Sequence, residues 1–307
     1  MMDNTEEDAT TTLAIRIGIA VAIFLLITGR VLKAIEMCHE CFIYLHNRGF
    51  RQDSPMAKLL YQDIFTTAAK AYSTLFDYTN TEKYVREQLL LFHESDNTLG
   101  KGWLQLRLVG ILYDQNKFAE ARRFCESAMT IMKTNGDAQG EAVSYGNLGV
   151  LFQVLGKYDK AREYQEKALA ITIEIGNREA QAASYGNLGT LLRSLGKYDK
   201  AREYQEKALA IRIEIGDRKG QAASYGNLGT LFQSLGKYDK AREYQEKALA
   251  ITIEIGNREG QAASYGNLGA LFESLGKYDK AQEYQEKALA IRIEIGDRKG
   301  EASSYGN

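Results

Sequence analysis

Residues able to do chemistry are scarce in this chain and poorly placed for it. The run Cys38-His39-Glu40-Cys41 holds one Cys-x-x-Cys pair, the spacing of half a zinc site or of a redox couple. A structural zinc needs two more ligands, and the only other cysteine is Cys125. No strand-helix-strand pattern surrounds the pair, so it reads as ordinary helix residues, with lipid attachment beside a membrane as the next reading. The three histidines, His39, His46 and His93, all precede the regular part of the sequence, which excludes a histidine triad or metal cluster there. Gly146-Asn147-Leu148-Gly149 and Gly156-Lys157-Tyr158 look like phosphate loops, yet no Gly-Lys-Ser/Thr follows a strand. The expectation is a non-enzymatic chain with no catalytic residue, cofactor or metal.

Binding is then the chemistry left, and composition narrows it. The 307 residues carry 39 Lys and Arg against 40 Asp and Glu, a net charge of -1, so nothing drives general association with nucleic acid. Three cysteines are too few for a disulfide framework and suit a reducing compartment. The unusual feature is 28 glycines beside one proline, Pro55.

Those glycines recur with a period of 40 residues. Gly-Lys-Tyr-Asp-Lys-Ala begins at Gly156, Gly196, Gly236 and Gly276, and Ser-Tyr-Gly-Asn at Ser144, Ser184, Ser224, Ser264 and Ser304. A longer period overlies the first: Thr172 and Thr252 alternate with Arg212 and Arg292, and Asn177 and Asn257 with Asp217 and Asp297, as if an 80-residue unit had been duplicated. Within one unit Ala161, Tyr164, Ala168, Ile171 and Ile175 form one stripe of a helix B, and Leu169 and Ile173 a second apolar edge. Gly176 should end that helix and Asn177 should cap the next, helix A, from about Arg178 to Leu195. Gly186 and Gly189 interrupt helix A at about 1 kcal/mol each. Gly189 is expected to face Ala201 and Ala208 in a close helix contact, and Gly186 to leave room beside the helix.

The copies beginning at 141, 181, 221 and 261 differ in eleven of forty columns, and four of these fall in one five-residue window of helix A. Its varying polar positions include Gln153, Arg193, Gln233 and Glu273, with Thr190 and Thr230 at its start; they share a face with Asn147, Asn187, Asn227 and Asn267. Change concentrated on one face suggests tuning toward a partner.

Leu188-Gly189 in helix A, with Tyr198, Ala201, Tyr204 and Ala208 in helix B, resembles the tetratricopeptide repeat signature. The repeat of 40 residues without a boundary proline is similar to the long-repeat subclass of kinesin light chains, the Pins/LGN spindle-orientation adaptors and tetratricopeptide repeat protein 28-like proteins. The resemblance implies an all-α fold, a right-handed superhelical solenoid of antiparallel helix pairs whose concave face is lined by helices A. It also implies that Asn147, Asn187, Asn227 and Asn267 hydrogen-bond the main chain of a bound peptide, since a carboxamide offers both donor and acceptor. Alanines such as Ala183 and Ala223 stand where chaperone-binding relatives carry basic clamp residues, which argues against an acidic C-terminal tail as ligand.

The expected organisation is an acidic tail over 1–12, a membrane-spanning helix over 13–35, a juxtamembrane helix over 36–57, two degenerate repeats over 58–137 and four regular ones over 138–297. Residues 298–307 begin a further repeat and stop inside its first helix, so the chain is expected to be a fragment or truncated. Residues 13–32 hold twelve Leu, Ile, Val and Phe, worth about -4 to -7 kcal/mol on an insertion scale, against Arg16 and Arg30 near the ends. Arg30 near its C-terminal end and Lys33 just beyond it, with acids before it, place the repeats in the cytosol of a single-pass protein. The alternative is a buried first helix and a cytoplasmic protein.

The function expected is a protein-protein interaction scaffold or adaptor that holds an extended partner segment in its groove. The alternatives are a structural spacer or a repeat array that self-associates through an uncapped C-terminal end, and a regulatory region of a longer protein.

Overall fold

The computed structural model describes residues 4–47, 55–92, 98–297 and 300, and the described residues form fourteen helices with no strand. They divide into two compact units, Met1–Asn135 and Gly136–Asn307.

The first unit holds α1 (Asn4–Ile27), α2 (Val31–Asn47), α3 (Pro55–Thr74), α4 (Tyr78–Leu91), α5 (Thr98–Asp114) and α6 (Phe118–Thr134). The single proline opens α3, where its missing N–H costs nothing. The helix expected over 13–35 is instead two. It starts earlier, at Asn4, and breaks after Ile27, because Gly29 takes a φ of 75° and Thr28 Oγ1 donates back to the Phe24 carbonyl at 3.0 Å. α2 then turns back along α1, and Ile15, Ile19 and Ala22 share one buried cluster with Cys38, Cys41 and Leu45 and with Leu60, Tyr61 and Ile64 of α3. Gly18 lets the two backbones approach, since a Cβ there would collide with Cys41 Sγ. The opposite face of α1 is open: Leu13, Ile17, Phe24 and Ile27 are all more than half exposed.

Helices α3–α4 and α5–α6 occupy the stretch expected to hold two degenerate repeats. Phe76 (φ 54°) and Asn116 (φ 59°) hold the left-handed position between their helices that glycine holds in every regular unit. The residues expected to close the first of these repeats, 93–97, lie outside the described residues, as do most of 298–307.

The second unit is four helix pairs: α7 (Ala138–Val154) with α8 (Tyr158–Glu174), α9 (Arg178–Ser194) with α10 (Tyr198–Glu214), α11 (Arg218–Ser234) with α12 (Tyr238–Glu254), and α13 (Arg258–Ser274) with α14 (Tyr278–Ile295). Odd-numbered helices of this unit are the A helices. Each A helix is capped by Asp137, Asn177, Asp217 or Asn257, whose side chain accepts the backbone N–H three residues on at 2.8 to 3.0 Å. Each ends on Gly156, Gly196, Gly236 or Gly276 with φ of 67° to 69°. Successive A helices touch one another, whereas among the described residues no B helix reaches the next B helix, so this unit curves with its A helices inside.

The buried stripe of helix B differs from the apolar pattern. Ala161 and Ala168 are fully covered, but their neighbours in the core are Gln165 and Thr172, while Ile173 and Ile175 are exposed. Polar groups enter the core because they have partners there: Gln165, Gln205 and Gln245 Nε2 donate to the carbonyls of Gly146, Gly186 and Gly226 at 2.9 to 3.0 Å. This also corrects the reading of Gly189. A Cβ on it would meet the Gln205 amide nitrogen at 2.7 Å and Cγ at 2.8 Å, so it makes room for a glutamine and not for Ala201 and Ala208.

Candidate functional site

Two clefts open on the A-helix face of the second unit, 80 residues apart in sequence and similar in lining except that Lys219 stands in the second where Gln139 stands in the first. The first, about 360 Å³, lies between α7 and α9 at the end of α8; Asn147, Asn187, Gly146, Thr172, Glu179 and Ser184 line it. The second, about 340 Å³, repeats it between α11 and α13, with Asn227, Asn267, Gly226, Thr252, Glu259 and Ser264. The four asparagines therefore stand in pairs across two clefts. Gly146 faces open space, with nothing within 4 Å of where a Cβ would sit.

The carboxamides are not equivalent. Asn227 and Asn267 Nδ2 donate to Gln205 and Gln245 Oε1 at 3.5 and 3.3 Å, which ties each repeat to the one before. Among the described residues Asn147 and Asn187 have no such partner, and Gln165 Oε1, the acceptor matching Gln205 Oε1, is buried without a donor. The first cleft thus carries two half-buried carboxamides that no group of the described residues engages, near the buried acceptor Gln165 Oε1.

The variable window is less free than its polarity suggests. Thr190 and Thr230 Oγ1 donate back to the Gly186 and Gly226 carbonyls at 3.1 and 3.0 Å. Gln153 reaches Ser194 Oγ at 3.4 Å, and Gln233 reaches Ser274 Oγ at 2.9 Å, each across one repeat join. Arg193 is half-buried and Glu273 exposed, at the same height on helices α9 and α13.

The join between the clefts is filled. Arg212, standing where the clefts have Thr172 and Thr252, donates from Nη1 to the Gly220 carbonyl at 3.0 Å and to Ser224 Oγ at 2.7 Å. Its Nε lies 4.0 Å from Asp217 Oδ2. Burial pulls the guanidinium pKa down and Asp217 opposes that. Arg292 makes the same bond to the Gly300 carbonyl at 3.2 Å. The alternation of Thr with Arg and of Asn with Asp is thus one feature, a join that is open or plugged. A third column alternates with them, Glu179 and Glu259 against Lys219 and Lys299, and that three-column correlation was a signal open to sequence reasoning that the duplication reading passed over.

The sequence profile of the Tetratricopeptide repeat family matches residues 100–174, 140–214 and 217–294, well over half of the chain. The chain belongs to that family. No protein of curated function matches it. Among solved structures, it is similar to the apo form of RapI, at 18% identity and a TM-score of 0.73 over 92% of this chain and 99% of that one. It is also similar to BtubC (BKLC) from P. vanneervenii, at 24% identity and 0.55 over 74% and 92%. A third is the Rap conjugation gene regulator of the plasmid pLS20 in complex with the Phr* peptide, at 15% identity and 0.65 over 95% and 77%. At these identities the likeness shows the tetratricopeptide solenoid alone.

Away from the repeats, Cys38 and Cys41 are buried free thiols 1% and 6% exposed, so with α1 docked both are covered against lipid attachment. Burial pushes the Cys38 pKa up to about 12 and raises that of Cys41. His39 Nε2 lies 2.8 Å from the Tyr84 hydroxyl. Among the described residues no three metal-ligating side chains gather; His93 lies outside them.

Proposed function

We propose that the A-helix face of residues 138–297 is a non-catalytic interaction surface that holds an extended segment of a partner protein. The observation that carries this reading is the first cleft, where Asn147 and Asn187 keep unused donors and acceptors over an opening of about 360 Å³. An extended main chain presents the complementary groups without regard to its side chains. The pLS20 regulator, whose structure holds a Phr* peptide, is a relative in which the same solenoid accompanies a peptide ligand. Asn147→Ala with Asn187→Ala is expected to abolish capture of partner proteins from lysate, scored by quantitative mass spectrometry, while thermal unfolding stays unchanged. Undiminished capture overturns the groove.

A second reading concerns α1, of which Ala9–Ile27 is long and apolar enough to cross a membrane, the one such helix among the described residues. Its open face supports a bilayer as cover for Leu13, Ile17, Phe24 and Ile27. A span requires α1 to leave Cys38, Cys41 and Ile64, whereas a buried first helix keeps them. Alkaline carbonate extraction of cells expressing the full chain decides: retention in the membrane pellet is expected of the span, and release into the supernatant overturns it.

A further inference from the structure

The plugged join shows what an open one accepts. At the α10–α11 join the chain places its own guanidinium: Arg212 Nη1 bonds the Gly220 carbonyl and Ser224 Oγ, and its Nη2 comes within 3.7 Å of the Cβ position of Gly186. At the open joins the matching acceptors are in place. Ser184 and Ser264 stand at the position of Ser224, and the Ala180 and Gly260 carbonyls at that of Gly220. The side chain that would reach them is missing, because Thr172 and Thr252 are short and turn their hydroxyls back to the Leu169 and Leu249 carbonyls at 2.9 and 2.8 Å. Ser224 is 0% exposed under its arginine, whereas Ser184 and Ser264 are 6% and 5% exposed to the clefts.

Charge changes in the sense an incoming cation needs. Arg212, Asp217 and Lys219 together carry +1, whereas Thr172, Asn177 and Glu179 carry -1, as do Thr252, Asn257 and Glu259. Glu179 is the one charged residue in the lining of the first cleft, whereas Lys219 lines the second together with Glu259, so the first is the more acidic socket. We propose that the two open clefts are sockets for arginine side chains of the bound segment, which supply from outside the guanidinium that Arg212 supplies from within. The proposal rests on the groove reading above and adds a specificity to it. At the plugged join Nη1 alone meets the carbonyl and the hydroxyl, while Nε stays beside the Asp217 side chain and Nη2 lies over Gly186. A guanidinium therefore reaches all of these positions at once, whereas the single nitrogen of a lysine can meet only the first two acceptors. The sockets recur every second repeat, so a segment with two arginines engages both.

The test uses the full chain and Nα-acetyl-L-arginine amide, read by saturation-transfer NMR at the side-chain methylenes. The expected result is transfer to the arginine probe and at least about tenfold less to Nα-acetyl-L-lysine amide. Thr172→Arg/Asn177→Asp/Glu179→Lys, combined with Thr252→Arg/Asn257→Asp/Glu259→Lys, copies the chain's own plugged join into both clefts and is expected to abolish the transfer. The reverse variant, Arg212→Thr/Asp217→Asn/Lys219→Glu, opens a third socket and is expected to raise the signal by about half; it serves as the second reading if the plugged protein fails to fold. Equal transfer to lysine, or transfer that survives in the folded plugged variant, overturns the sockets. Arginine binding beside undiminished partner capture by Asn147→Ala/Asn187→Ala fails the groove alone, and lost capture without an arginine response fails the sockets alone.

Discussion

Arg212 Nη1 lies 2.7 Å from Ser224 Oγ, so a charged donor on the B helix of one repeat pins the A helix of the next. The matching bond cannot form at the joins that carry Thr172 and Thr252. Arg212→Met keeps the apolar stem but removes the donors, and it is expected to lower stability by about 1.5–3 kcal/mol, the range for hydrogen bonds to charged groups. Urea unfolding followed by circular dichroism measures it. Ser224→Ala leaves the Gly220 carbonyl as acceptor and should cost clearly less; an equal or larger cost for Ser224→Ala would refute the pinning role.

Two glycines of the same helix type are expected to respond with opposite signs. A Cβ on Gly189 would press on the buried Gln205 at 2.7 and 2.8 Å, and Gln205 is held by its bond to the Gly186 carbonyl. Gly189→Ala should therefore destabilise by about 1–3 kcal/mol through overpacking. Gly146→Ala meets nothing within 4 Å and should stabilise α7 by about 0.5–1 kcal/mol. If the first cleft binds a peptide main chain, Gly146→Ala gains stability and loses partner capture together.

Gly196 ends α9 with a φ of 69°. Alanine there pays the left-handed cost, about 1–2 kcal/mol, in a thermal or urea unfolding curve. Asparagine should pay less than half as much, because Asn116 already holds the equivalent position of the α5–α6 repeat at a φ of 59°. Equal losses for Gly196→Ala and Gly196→Asn would mean that something other than backbone conformation governs this turn.

What could be read from the sequence was whatever repeats or punctuates. The 40-residue frame, the A and B helices, the caps at Asn177 and its copies and the glycines that end helices all follow from periodicity and local chemistry, and the structure places them accordingly. The turn at Gly29 was missed because twelve large apolar residues masked one glycine, and a helix break inside an apolar run carries no periodic signal. The core glutamines were missed for a different reason. A stripe argument sends Gln165 outward, and only the empty space at Gly149 on the neighbouring helix, invisible in one dimension, lets it turn inward. For the site, the asparagine positions came from the family resemblance, whereas their unequal bonding depends on whether Gln165 or Gln205 lies behind them, a tertiary fact.

Cys38 reports on the α1–α2 hairpin. Burial among Ile15, Ile19 and Ala22 raises its pKa from 9.0 to about 12. The neutral thiol is therefore favoured in the folded state, and the unfolded chain binds fewer protons between pH 9 and 12. Stability is undiminished below pH 9 and falls as the pH rises above it, by up to about 1.4 kcal/mol per pH unit. Cys38→Ala should flatten that alkaline fall in urea midpoints measured from pH 8 to 10.5. With α1 docked, the native thiol should resist iodoacetamide at pH 8, where the urea-unfolded chain reacts fully. Insertion of α1 into a bilayer strips Cys38 of its cover, so reactivity that appears only with vesicles present would mark the span, and continued protection in their presence would mark a buried first helix.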